Sequence, residues 1–179
     1  MNILITGVHG FVGSNLVKYL SKENTIYGLD IVQPQKEGVK KTFSWDELEQ
    51  PTAMPEIDAI IHLAGKAHDT RNKSAADVYF KVNTGLTQKI FDWYMASATA
   101  KKFVFFSTAK AAAECVPEIL LEDVTPTPNG PYGESKIKAE EYILDALENQ
   151  GVSRKSMSSI VPGTDCPKNG KEVYIFRPC

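Results

Sequence analysis

Met1-Asn-Ile-Leu-Ile-Thr-Gly7-Val-His-Gly10-Phe-Val-Gly13 opens the chain, and its reading decides the fold. Ile3-Leu4-Ile5 is an apolar run without polar alternation, which predicts a parallel strand buried on both faces. The run breaks at Gly7, and Phe11, Val12, Leu16, Val17 and Leu20 then follow at the spacing of one helix face. Strand, glycine turn and helix in that order make a site for phosphate. The first N–H groups of a helix have no intrahelical acceptor, and the helix dipole adds partial positive charge there. Glycines let a pyrophosphate come within hydrogen-bonding distance of the main chain. The spacing here is Gly-x-x-Gly-x-x-Gly.

A second apolar run, Thr25-Ile-Tyr-Gly-Leu-Asp30, ends in an acid twenty residues after Gly10. Asp30 is placed to accept both hydroxyls of an adenosine ribose and to repel a 2′-phosphate, which points to NAD and not NADP. No lysine or arginine follows directly, since the next residues are Ile31 and Val32. Glycines also occur in ordinary strand-to-helix turns, and an acid at a strand end can simply cap a turn. The two in this order favour a dinucleotide held by Gly7, Gly10, Phe11, Val12, Gly13, Asp30 and Ile31. Adenine is expected near Phe43–Trp45, where Trp45 is either a cofactor contact or a core anchor.

The remaining composition is that of an ordinary globular chain. At 179 residues, 42% hydrophobic and a formal charge of −2, it has the size of one domain with a real core. Basic residues are spread along the sequence, so no electrostatic footprint for nucleic acid exists. No apolar stretch reaches the length of a membrane span, and a strand beginning at Asn2 leaves no room for a signal peptide. Cys115, Cys166 and Cys179 are odd in number and lack Cys-x-x-Cys spacing, which predicts a reduced, cytoplasmic protein without a disulfide framework. His9, His62 and His68 show no metal-ligand spacing, and no metal is expected.

Along the chain, Gln33 to Lys41 is polar and precedes a brief strand at Thr42-Phe43. Ser44 is a candidate cap for a short helix. Asp58-Ala-Ile-Ile-His-Leu63 is a buried strand running into Ala64-Gly65. A long helix is expected from about 75 to 98, with Tyr79, Val82, Leu86, Ile90 and Phe91 on its buried stripe. Lys101 to Phe106 is the next strand and ends on Ser107-Thr108. Pro126, Pro128 and Pro131 exclude a helix interior. A second long helix opens at Tyr132 and runs to about Asn149, 151–170 reads as irregular loop, and Val173 to Phe176 is the last strand. Strands alternating with helices require right-handed crossovers and predict a doubly wound parallel sheet in the order 3-2-1-4-5-6. Gly7, Asp30, Ala64, Ser107 and Arg177 all fall at the carboxyl ends of its strands, where such sheets bind ligands.

Tyr132 and Lys136 are four residues apart and share one helix face. The spacing alone is common; its place after the strand ending in Ser107-Thr108 gives it weight. A tyrosine is ordinarily a poor base at neutral pH, but an adjacent ammonium and an oxidised nicotinamide both favour the phenolate. Tyr132 is then placed to take the proton of a substrate hydroxyl while its carbon gives up hydride, with Thr108 bonded to the same oxygen.

Thr6-Gly-Val-His-Gly-Phe-Val-Gly13, His62-Leu-Ala-Gly65, Asn83, Ser107-Thr108 and Tyr132-Gly-Glu-Ser-Lys136 together resemble the extended short-chain dehydrogenase/reductases, and within them the NAD-dependent epimerase/dehydratase branch. The resemblance implies a Rossmann fold, NAD as cofactor and a nucleotide-sugar substrate. It also implies Thr108, Tyr132 and Lys136 as the catalytic trio, and Asn83 as the helix asparagine supporting the lysine. Leu63, Ala64, Gly65 and Ser107 join the cofactor-binding set on the same ground, and relatives of this kind pair two long helices, here 75–98 and 132–149, into a homodimer. Phe91, Trp93, Tyr94 and Met95 wrap most of a helix circumference, which adds to the dimer expectation.

The sequence departs from the family pattern in three places. Ala112-Ala113 replaces an aromatic–glycine pair, 151–170 lengthens a connection that is usually short, and the lobe that would hold the sugar has no counterpart after Cys179. The 179-residue chain is therefore expected to bind NAD and to turn sugars over slowly if at all. A dinucleotide-binding module without catalysis and a folded remnant are the alternatives.

Overall fold

The computed structural model describes residues 1–50, 54–66, 75–112, 125–150 and 170–178. Six strands, β1 (Asn2–Thr6), β2 (Thr25–Leu29), β3 (Val39–Phe43), β4 (Ala59–His62), β5 (Lys102–Phe106) and β6 (Glu172–Phe176), form one sheet ordered β3-β2-β1-β4-β5-β6. Every neighbouring pair is parallel. This is the expected doubly wound order, reversing direction beside β1. The helices are α1 (Phe11–Leu20), α2 (Ala76–Tyr79), α3 (Leu86–Ala96), α4 (Ala109–Ala112) and α5 (Pro131–Glu148). A π-helical turn, Phe80–Gly85, joins α2 to α3.

Alternate residues of the central strands feed two cores. Leu4, Tyr27, Leu29, Ile60, Phe103 and Phe105 meet Ile90, Phe91 and Tyr94 of α3 and Ile143 and Leu147 of α5. Ile3, Ile5, Ile26 and Ala59 point the other way and meet Val17 of α1. Strands covered on both sides explain the unbroken apolar runs of β1 and β4.

Several elements differ from expectation. Phe11 and Val12 do not join the α1 core stripe; they stand exposed at its amino end, and Val17, Leu16 and Leu20 hold the helix to the sheet. β3 begins at Val39, inside the segment read as polar, because an edge strand can leave Lys40 and Lys41 in solvent. Ser44 does cap: its Oγ accepts the Glu47 N–H (3.3 Å) while the Glu47 carboxylate accepts the Ser44 N–H (2.7 Å), a reciprocal box ahead of a single 3₁₀ turn, Glu47–Glu49. The inner face of the long helix carries Tyr79, Asn83, Thr87, Ile90, Phe91 and Tyr94, and Val82 and Leu86 are only half-buried. Phe91 and Tyr94 lie in the core while Trp93 and Met95 pack against it at its margin. The loop expected over 151–170 lies, but for Gly170, outside the described residues.

Lys171 ties the ends of three elements together. Its buried ammonium donates to the carbonyls of Tyr94 (2.5 Å), Ser97 (2.7 Å) and Ala100 (3.0 Å) at the carboxyl end of α3, and lies 4.3 Å from the centre of the Tyr94 ring. The Tyr94 hydroxyl in turn donates to Lys101 O (3.1 Å) and Glu172 O (3.0 Å). Lys171→Met keeps the stem but strands these acceptors, and we expect it to cost about 2–4 kcal/mol of stability, read as a lowered urea midpoint with an unchanged slope.

Candidate functional site

The turn between β1 and α1 is set by close backbone approach. Gly7 adopts φ +68°, and a Cβ there would come within 3.0 Å of the Ala64 main chain. A Cβ on Gly13 would come within 2.5 Å of Gly7 O, so only glycine lets α1 sit this tightly on the loop. α1 starts without a side-chain cap and without an acid in its first turn. Its leading N–H groups and dipole therefore face the carboxyl edge of the sheet uncompensated.

The same loop holds Asp30. Its Oδ2 accepts the His9 N–H (3.0 Å) and its Oδ1 accepts the Ile31 N–H (2.8 Å). One donor on each oxygen orients the carboxylate and leaves lone pairs for two further hydroxyls. Phe11, two residues after His9, and Ile31, next to Asp30, are 86% and 84% exposed and offer apolar surface to a ring. An uncapped helix start, an oriented acid and bare apolar side chains match the pyrophosphate, ribose and adenine of a dinucleotide. Phe43 is buried in the core and Trp45 packs against that core from outside, which is the core-anchor alternative for Trp45.

The second half of the site lies past β4. Thr6 Oγ1 accepts the N–H groups of Leu63 (3.1 Å) and Ala64 (2.9 Å), which fixes the loop entering Gly65. Asn83, 1% exposed, clamps the next residue: its Oδ1 accepts the Lys66 N–H (2.7 Å), and its Nδ2 donates to Lys66 O (3.2 Å) and to Ser135 Oγ (2.9 Å). Asn83 is thus buried and fully engaged, and it acts on the Lys66 main chain and Ser135. The Ser135 hydroxyl donates to Tyr132 O (2.8 Å), so the amide reaches the first turn of α5.

Lys136 is 6% exposed. Its ammonium donates to Phe106 O (2.6 Å) at the end of β5 and sits 4.4 Å from the centre of the Phe105 ring. A Cβ on Gly65 would meet Asn83 Oδ1 at 3.0 Å and Lys136 Nζ at 3.9 Å, so β4 loop, π turn and α5 converge there. Burial pushes the Lys136 amine down to about 8, against the opposing pull of the Glu140 carboxylate. Tyr132 opens α5 one turn earlier on the same face, its ring edge-on to Tyr79 with centroids 6.3 Å apart. Thr108 is buried at the mouth of α4, where its Oγ1 accepts the Lys110 N–H (3.3 Å).

Glu140 escaped the reading of the sequence. It is 1% exposed, accepts the Ser107 hydroxyl, and takes two bonds from Arg177 Nε (3.1 Å to each oxygen) and one from Nη2 (2.5 Å). The available signal was its position: Tyr132, Lys136 and Glu140 recur every four residues on one helix face. Through Glu140, the end of β6 is locked to the Ser107-Thr108 pair.

Comparison with known proteins agrees with this geometry. A family model described as NAD dependent epimerase/dehydratase matches residues 3–158. D-erythronate dehydrogenase of Haemophilus influenzae is 26% identical over 158 residues, covering 81% of this chain and 50% of that protein. UDP-glucose 4-epimerase of Halalkalibacterium halodurans is 29% identical over 162 residues, covering 85% of this chain and 48% of that one. Among solved structures, MoeE5 in complex with UDP-glucuronic acid and NAD has the same fold, with a TM-score of 0.76 at 20% identity over 99% of this chain and 54% of its own. The chain spans about half the length of the curated relatives it matches.

An unfolded lysine holds its proton to about pH 10.4. Between about pH 8 and that value the unfolded chain binds more protons than the folded one, so the Lys136 contribution to stability rises with pH. NMR titration of the Lys136 amine is expected to give a midpoint near 8, lowered further by Glu140→Gln, which removes the raising charge. A midpoint at the ordinary lysine value in the folded protein refutes this.

Proposed function

Because this chain belongs to the NAD dependent epimerase/dehydratase family, we propose that it binds NAD along the carboxyl edge of its sheet and serves in oxidising, then re-reducing, a hydroxyl carbon of a nucleotide sugar. The observation that carries the reading is Lys136: a buried ammonium wedged between the end of β5, the Gly65 turn and Asn83, on the helix face that also bears Tyr132. A buried cation with one main-chain acceptor is costly for stability alone. It is well used if it favours a phenolate beside it.

In this reading the N–H groups of Phe11, Val12 and Gly13 hold pyrophosphate, and Asp30 accepts the adenosine ribose hydroxyls. Leu63, Ala64, Gly65 and Ser107 line the path from there to Lys136. When bound, NAD supplies reversible acceptance of a hydride. Tyr132 takes the proton from the substrate oxygen as the C–H bond to that carbon breaks, and Thr108 donates a hydrogen bond to the same oxygen. Lys136 would stabilise the tyrosinate, and Tyr132 would return the proton to the same oxygen in the reverse direction. The substrate class rests on the family and on the UDP-glucose 4-epimerase relative. The proposal extends to a homodimer through α3 and α5, using the partly exposed margins of Trp93 and Met95; sedimentation of a monomer at micromolar concentration counts against that part.

Calorimetric titration should show NAD binding more tightly than NADP by roughly fivefold or more, since a lost ribose bond beside a like charge is worth about 1–3 kcal/mol. Asp30→Ala should narrow the gap, and equal affinities in the wild type refute the assignment. With NAD bound, UDP-hexoses should generate the absorbance of reduced nicotinamide only slowly, because this chain spans about half the length of its relatives. Tyr132→Phe should abolish that signal while leaving NAD affinity within about twofold. NAD binding without any reduction by nucleotide sugars would leave a dinucleotide-binding module.

A further inference from the structure

His62 is fully buried at the end of β4, and the chemistry above makes no use of it. Its surroundings fix both of its ring nitrogens. Thr6 Oγ1 already accepts two N–H groups, from Leu63 and Ala64. A hydroxyl has two acceptor sites and one proton. Its remaining capacity is that proton, and it lies 2.6 Å from His62 Nδ1. Nδ1 is therefore a bare acceptor and Nε2 carries the hydrogen. Nε2 lies 2.9 Å from Thr87 Oγ1, and Thr87 donates onward to Asn83 O at 2.6 Å. The run has one direction throughout, from the N–H groups of Leu63 and Ala64, through Thr6, His62 and Thr87, to the carbonyl of the residue whose amide clamps Lys66 and Ser135.

The ring has a second contact with the site. It stacks on Phe105 with centroids 5.5 Å apart and planes 18° from parallel, and Phe105 is the ring over which the Lys136 ammonium sits. Phe103 packs against it as well, at 6.2 Å. A second proton on Nδ1 would confront an oxygen with no acceptor site left, so this pocket admits only the neutral ring. Burial and the Lys136 charge act in the same sense and bring the imidazole down to about 3.

We propose that His62 is a positioning residue of the site: locked as the neutral Nε2–H tautomer, it joins the turn after β4 to the π turn through Thr87 and so fixes Asn83, Phe105 and, through them, Lys136. This rests on the reading that Lys136 and Tyr132 belong to a catalytic site. Among the described residues neither the glycine loop nor Asp30 is bonded to Thr87, and Leu63 and Ala64 are held from the Thr6 end of the run, so cofactor affinity and the setting of Lys136 are separable.

The test uses the 179-residue chain, with nitrogen-detected NMR of the His62 ring and of the Lys136 amine. The ring should show a bare Nδ1 and a protonated Nε2 at both pH 8 and pH 5; the opposite tautomer, or a cation at pH 5, overturns the proposal. Thr87→Val cuts the chain without changing its shape, and Thr87→Ser restores the hydroxyl. Thr87→Val should move the Lys136 midpoint by about half a pH unit or more, and Thr87→Ser should return it. NAD affinity should stay within about twofold in both. Where the wild type reduces NAD with a nucleotide sugar, Thr87→Val should slow that step roughly ten- to a hundredfold and Thr87→Ser should recover it. A midpoint unmoved by Thr87→Val refutes the positioning role, as does a lowered melting temperature with no change in midpoint. If Thr87→Val does not fold, the tautomer and the midpoint in Thr87→Ala, which also removes the hydroxyl, decide. A wild type inert toward nucleotide sugars refutes the functional reading above and leaves the tautomer and midpoint to judge this one.

Discussion

A parallel sheet covered on both faces confines polar chemistry to its carboxyl edge. Strands such as β1 and β4 are covered on both faces, so from Ile3 and Ala59 onward their side chains are apolar until the last residue, where Thr6 and His62 stand. There the ladder of hydrogen bonds stops and main-chain groups of the following loops need partners. Thr6 meets the need for Leu63 and Ala64, the Asp30 carboxylate for His9 and Ile31, and the Asn83 amide for Lys66. The site is thus assembled from the groups that satisfy the ends of the strands. Removing any of these side chains harms the loop before it harms a ligand.

The energetics of Lys136 follow from which partner wins. Glu140 lies one turn further along α5 and pulls the amine toward the charged form, yet burial outweighs it. Glu140 is itself held elsewhere: Arg177 takes it by both oxygens and Ser107 adds a third donor. Lys136 is left with Phe106 O and the face of Phe105. Lowering the amine from its ordinary value of 10.5 to about 8 corresponds to about 3 kcal/mol against the ion. The folded chain carries that cost without recovering it in stability. Such a group gains from any neighbour that becomes negative, which is the physical basis for coupling it to a phenol on the same helix face.

Much of this frame could be read in the sequence, and the exceptions have common causes. β1, β2, β4 and β5 are legible because double burial leaves unbroken apolar runs, and the glycine turn because its spacing reports close backbone contact. Phe11 and Val12 misled because they continue an apolar stripe in a place where the helix has not yet reached the core. Lys40 and Lys41 hid β3 because an edge strand tolerates charge on its open side. Asn83, Thr87 and Glu140 are buried polar residues on helices, and helical patterning searches for apolar ones. Their burial is visible only once Ser135, His62 and Arg177 are seen to pair with them.

The π turn has a geometric purpose of its own. Tyr79, Asn83 and Thr87 all face inward at steps of four residues. In a regular helix of 3.6 residues per turn each step overshoots by about 40°, and two steps would carry the third residue about 80° around the axis. The wider winding of Phe80–Gly85 takes up that drift. It therefore brings Thr87 back under His62 while Asn83 still points at Lys66 and Ser135. An i to i+5 turn packs its backbone less well than an α turn, so it persists where side chains hold it open. Here Thr87 bonds the Asn83 carbonyl from within the helix, Thr84 Oγ1 donates to Ser135 O (2.8 Å), and the Asn83 amide fastens both sides. The turn and the three polar side chains require one another, and each has its role only because the others are buried with it.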